Sequence, residues 1–66
     1  MQNNLFFSVI CPTFNSENFI EKNILSILRQ TYQNFEIIYS DDGSTDETIN
    51  IIKDYEKNFI DKKINI

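Results

Sequence analysis

The sequence predicts an α/β fold, the βαβαβ start of a Rossmann-like, mostly parallel three-layer domain. Two short apolar runs rich in β-formers, residues 5–11 and 35–40, are each followed by an apolar pattern at helical spacing. The segment joining them is long enough to hold a helix of several turns, which a right-handed parallel crossover requires. A third apolar run opens at residues 64–66, after the second helical pattern.

The first run, LFFSVIC, is nearly all apolar and suits a central parallel strand buried on both faces. Pro12 ends it and holds Cys11 out of the helical region. Residues 12–17, PTFNSE, read as a loop. Asn18 is placed to cap the next helix with Glu21 closing a capping box, and Ser16 is a rival cap. Ile20, Ile24, Ile27 and Leu28 then line one helical face, which Phe19 and Leu25 widen. The helix is expected to end near Arg29 or Gln30.

Residues 31–34 are a polar connector, and residues 35–40 form the second strand. The strand breaks abruptly into Asp41, Asp42, Gly43, Ser44, Thr45 and Asp46, a tight turn leading into a helix. The spacing predicts a second helix starting at Ser44, boxed by Glu47, with Thr48, Ile52, Tyr55 and Phe59 on its buried stripe. Asp46 and Glu47 suit the positive end of its dipole. Residues 1–4 are polar and expected to fray.

Composition narrows the function classes. The chain has 66 residues, 10 acids against 6 bases and a net charge of -4. That balance disfavours nucleic acid and anionic membrane surfaces as partners. One Cys and no His exclude an internal disulfide and a Cys/His zinc site. There is no long apolar run and no signal-peptide pattern, which points to the cytoplasm. A chain this short is marginal alone, and its third strand stops almost as it starts. It therefore reads as the front of a larger domain, with exposed surfaces that favour self-association.

If the two strands are parallel neighbours, residues 12–15 and 41–43 emerge at one edge, where open α/β sheets bind ligands. That edge offers the ring of Phe14, the amide of Asn15 and the carboxylates of Asp41 and Asp42. A carboxylate repels phosphate but accepts strongly from a ring N–H, and an aromatic face stacks on a base. Asp42 on the ring N–H of a pyrimidine, with Phe14 under the ring, is a coherent base pocket. A diphosphate would then need a divalent ion and further acids. Each residue also has a plainer role: Asp41 and Asp42 in turn bonds, Gly43 for positive φ, Ser44 and Thr45 as cap and turn residues, Asp46 as a first-turn acid, Phe14 in loop packing. The single glycine rules against a GxGxxG fingerprint, and no GK[ST] is present for a phosphate loop.

From about Phe7 to Ile66 the chain resembles the N-terminal part of family 2 glycosyltransferases, which have the type A nucleotide-sugar fold. The resemblance rests on SVICPTFN at 8–15, IEKNILSILRQTYQNFEII at 20–38 and SDDGSTDET at 40–48 taken together. It implies that residues 1–66 are a fragment of a nucleotide-diphospho-sugar-binding domain. The parent enzyme would transfer a sugar, with inversion, from a nucleotide diphosphate donor, commonly a uridine one. Pro12, Thr13 and Phe14 would line the base pocket, Phe14 replacing the usual tyrosine, with Glu17 nearby. Asp42 would bind the base, Asp41 would support the pocket and Asn15 would shape the loop. The resemblance also implies that the Mg²⁺ or Mn²⁺ ligands, the general base and the acceptor site lie beyond Ile66. The chain alone is then expected to be inactive, its partners being the donor and the remainder of the domain. The complete protein could work at the cytoplasmic face of the membrane. The alternative is a non-catalytic α/β fragment or protein-interaction module.

Overall fold

The computed structural model describes residues 5–58 and 63–66. The elements follow the expected order: β1 (Phe7–Thr13), α1 (Ile20–Leu28), β2 (Phe35–Asp41), α2 (Thr48–Asn58) and β3 (Lys63–Asn65). The sheet order is β1-β2-β3, and both pairings are parallel. This is the Rossmann-like βαβαβ arrangement, a parallel sheet flanked by two helices. The expected fraying of residues 1–4 and the stripe position Phe59 lie outside the described residues.

The core explains the sequence pattern. Alternate residues of β2, namely Phe35, Ile37 and Tyr39, point to one face and are buried. Ile20 and Ile24 of α1, Ile52 of α2 and Ile64 of β3 close over them in a single cluster. Both helices therefore lie against that face of the sheet. Tyr39 is 1% exposed, and its hydroxyl donates to Asn23 Oδ1 of α1 at 2.8 Å. Burial, with a smaller contribution from Cys11, pushes the Tyr39 phenol well above its ordinary pKa.

Four expectations need correction. Strand β1 runs two residues later than expected and is the edge of the described sheet, not a centre strand buried on both faces. Ile10 is 65% exposed, because it points to the face of the sheet opposite the two helices, and Phe7 is 50% exposed at the start of the strand, which pairs only with β2 among the described residues. Phe19 does not widen the α1 stripe and is exposed. Helix α1 has no side-chain cap, so the Asn18–Glu21 box does not form. The carbonyl of Ser16 instead accepts from the N–H groups of Phe19 and Ile20 at 2.9 and 2.8 Å, closing a turn that feeds the helix. Helix α2 starts at Thr48, not Ser44. Asp46, two residues ahead of that start, satisfies the Thr48 N–H by accepting from it at 3.0 Å.

Candidate functional site

The parallel register brings the two candidate loops together. Thr13 and Asp41 are the last paired residues of β1 and β2, and the Asp42 N–H donates to the Thr13 carbonyl at 2.9 Å. Phe14 and Asp42 thus follow directly at the same end of the sheet.

Asp41 ties the loops. Its Oδ1 accepts from the Thr13 hydroxyl at 2.7 Å and the Ser44 hydroxyl at 2.5 Å, and its Oδ2 accepts from the Ser44 N–H at 2.7 Å. The hydrogen bond from the Ser44 hydroxyl, then that from Thr13 and the Ser44 N–H, hold its carboxyl below the usual carboxylate range. Gly43 then turns the chain with φ of 81°, a left-handed value that favours glycine.

The loop after β1 is fastened to the same turn. Asn15 has φ of 46°, a conformation asparagine tolerates. Its N–H donates to the Ser44 Oγ at 2.8 Å, and its Oδ1 accepts from the Thr45 N–H at 2.8 Å. Glu17 reaches the residue just before α2, its Oε1 accepting from the Glu47 N–H at 2.9 Å. A carboxylate there satisfies a free helix donor and complements the dipole. Asp46 returns the bond, its Oδ2 accepting from the Glu17 N–H at 3.2 Å. Partial burial works against its charged form, but hydrogen bonds from the Thr48 hydroxyl and N–H and from Glu17 outweigh it, so its carboxyl also sits low.

Two side chains at this rim stand apart. Asp42 is exposed, and its carboxylate accepts no hydrogen bond among the described residues. Phe14 is 58% exposed. A cleft of about 130 Å³ opens between the end of β1 and the start of α1, lined by Pro12, Thr13, Ser16, Phe19, Ile20 and Asn23 with Cys11, and neither Phe14 nor Asp42 lines it. Burial pushes the Cys11 thiol up, which suits a packing residue better than a nucleophile. The rim therefore gathers Pro12, Thr13, Phe14, Asn15, Glu17, Asp41 and Asp42. Within it, Thr13, Asn15, Glu17 and Asp41 spend their polar side-chain atoms on one another's loops. Ser44, Asp46 and Thr48 belong to the same network, and sequence reading assigned them only local roles.

The profile of Glycosyl transferase family 2 matches residues 8–66. The chain belongs to glycosyl transferase family 2. Among relatives in this family, an uncharacterized glycosyltransferase of Haemophilus influenzae is 51% identical over 55 residues, covering 83% of this chain and 20% of the relative. The putative teichuronic acid biosynthesis glycosyltransferase TuaG of Bacillus subtilis is 42% identical over 59 residues, covering 89% of this chain and 23% of that protein. The crystal structure of S. aureus TarS superposes with a TM-score of 0.75 at 38% identity, covering 92% of this chain and 11% of TarS. The chain spans about a fifth of the length of the curated relatives it matches.

Among the described residues no group of three or more His, Cys, Asp and Glu could hold an ion. Asp41, Asp46 and Glu17 already accept hydrogen bonds from Ser44, Thr48 and Glu47.

Proposed function

We propose that this chain is the base-binding part of a family 2 glycosyltransferase domain that takes a nucleotide diphosphate sugar, with a uridine nucleotide as the donor. Asp42 accepts the ring N–H of the base. Phe14 stacks on its face, keeping the aromatic surface of a tyrosine without the hydroxyl. Pro12 and Thr13 line the pocket. Asn15, Glu17 and Asp41 hold its loops in place. The divalent ion that neutralises the diphosphate, Mg²⁺ or Mn²⁺, would be held by acids outside this chain. The hydroxyl of the acceptor would be activated there too, in a single displacement that inverts the anomeric carbon.

One observation carries this reading. At a rim where the neighbouring Asp41, Asp46 and Glu17 carboxylates are already bonded, Asp42 keeps an exposed carboxylate that accepts no hydrogen bond among the described residues, next to the paired strand ends that also deliver Phe14. Turn formation accounts for Asp41 and Asp46, but it gives Asp42 no work.

Calorimetric titration of uridine diphosphate into the full-length protein, with and without Mn²⁺, tests it. Asp42→Ala should weaken binding by roughly 10-fold to 100-fold, the worth of one hydrogen bond to a charged group. Thermal stability should not change. If Asp42→Ala binds uridine diphosphate as the parent does, the base pocket is wrong. A full-length protein that takes up no nucleotide at millimolar concentration would favour a non-catalytic α/β module.

A further inference from the structure

We infer that Thr48 is a positioning residue of this site: its buried hydroxyl, held by Asp46, fixes the loop that carries Phe14. The inference rests on the nucleotide reading and adds to it a residue that would touch no ligand.

Thr48 opens α2 and is 0% exposed. At its place on the apolar stripe a valine would fill the same space, and a buried hydroxyl costs free energy unless it is bonded. Here the hydroxyl is fully engaged. It donates to Asp46 Oδ1 at 2.5 Å and accepts from the Ser16 N–H at 2.7 Å. Asp46 also takes the Glu17 N–H at 3.2 Å. Two successive loop N–H groups are thus claimed by side chains at the start of α2, and Glu17 answers with its carboxylate on the Glu47 N–H.

The path from Thr48 to Phe14 is short. The Ser16 hydroxyl donates to the Phe14 carbonyl at 3.2 Å and accepts from the Phe14 N–H at 3.4 Å. Fixing the Ser16 backbone therefore fixes the backbone of Phe14. Phe14 is exposed and gains little from packing, so its direction depends on this anchoring. A stacking ring must be held in place before the base arrives, or ordering it subtracts from affinity.

Two substitutions separate the hydroxyl from the shape. Thr48→Val keeps the branched side chain and removes the hydroxyl, whereas Thr48→Ser keeps the hydroxyl. In the full-length protein, uridine diphosphate affinity is measured by calorimetry. Hydrogen–deuterium exchange is read on peptides covering residues 13–19 and 35–41. Thr48→Val should weaken binding about tenfold, in line with losing one buried hydrogen bond. It should also speed exchange in 13–19 while 35–41 stays protected. Thr48→Ser should restore both. Unchanged exchange in 13–19, or unchanged affinity, with Thr48→Val overturns the inference while the nucleotide reading stands. If Thr48→Val loses protection in 35–41 and so fails to fold, Asp46→Ala reads the same relay from its more exposed end: a loosened 13–19 supports it and an unchanged one overturns it. If the parent protein binds no nucleotide, the base pocket fails separately, and the exchange comparison still decides whether Thr48 sets the loop.

Discussion

Where β1 and β2 finish, their loops are tied together by carboxylates; where they begin, the chain is tied by an aromatic pair and backbone carbonyls. At the finishing end Asp41, Asp46 and Glu17 each accept from the other loop or the first turn of α2. At the starting end the Phe7 and Tyr32 rings meet edge to face with centroids 5.5 Å apart. The Phe7 N–H donates to the Asn34 carbonyl at 3.1 Å, and the Asn34 side chain donates to the Leu5 carbonyl at 2.8 Å. The Tyr32 hydroxyl also donates to the Leu5 carbonyl. The difference teaches what each end is for. One carboxylate works at the starting end too, Glu36 accepting from the Ser8 hydroxyl at 2.7 Å, but it lies within the paired strands, and the flanking segments there close on neutral contacts. Under the proposed function, a rim that presents one free acid to a ligand has its other acids occupied, so that their charge is satisfied and the loops keep one shape.

The largest effect should come from removing the acid that joins the loops. Asp41→Ala takes away the acceptor for Thr13 and for both donors of Ser44. Those groups are left to water, and Asn15 loses its orientation because it leans on Ser44. Exchange should rise in 13–17 and 41–45, uridine diphosphate binding should fall below detection, and residues 5–7 and 32–35 should keep their protection. Loss of protection at both ends together would mean that the ends are not built independently.

Acid should separate the ends in the same way, more gently. Asp41 and Asp46 have depressed carboxyl pKa values in the folded chain. A group whose pKa is lowered by folding adds stability above its unfolded pKa and gives it up as pH falls through the folded value. The window lies below about pH 4, the ordinary aspartate value. In an NMR titration the Ser44 and Thr48 amide signals should move with midpoints below that pH. The Phe7 amide, bonded to the Asn34 carbonyl, should hardly move. Rim midpoints at or above the ordinary value would contradict the role given to the hydrogen bonds.

How much of this was legible in the sequence follows from the range of each interaction. The order of elements was readable, since strand composition and the Ile20–Ile24–Ile27 stripe are local patterns. So was the meeting of Phe14 and Asp42 at one edge, because parallel pairing dictates it. The exposure of β1 was not, because an apolar run does not reveal which neighbours its strand has. The start of α2 misled for a related reason. Ser44 and Glu47 have capping-box spacing, but Ser44 serves Asn15 and Asp41, and Asp46 satisfies the Thr48 N–H. The ties of Ser16 to Thr48 and of Glu17 to Glu47 join residues 32 and 30 positions apart, where no local spacing rule reaches.

The smallest expected effect sharpens the comparison from the neutral end. Tyr32→Phe removes the hydroxyl bonded to the Leu5 carbonyl and keeps the ring against Phe7. One neutral hydrogen bond is worth about 0.5–1.5 kcal/mol, and less here because water can replace it at the surface. The Leu5 carbonyl also keeps the Asn34 side chain as a donor. Denaturant unfolding should therefore shift only slightly, with faster exchange confined to residues 5–7. Nucleotide affinity should not change, since the bonds of Tyr32 and Asn34 to the Leu5 carbonyl and of Phe7 to the Asn34 carbonyl stay at this end. A measurable fall in affinity would show that β1 transmits strain along its length, and the two ends would then have to be read as one device.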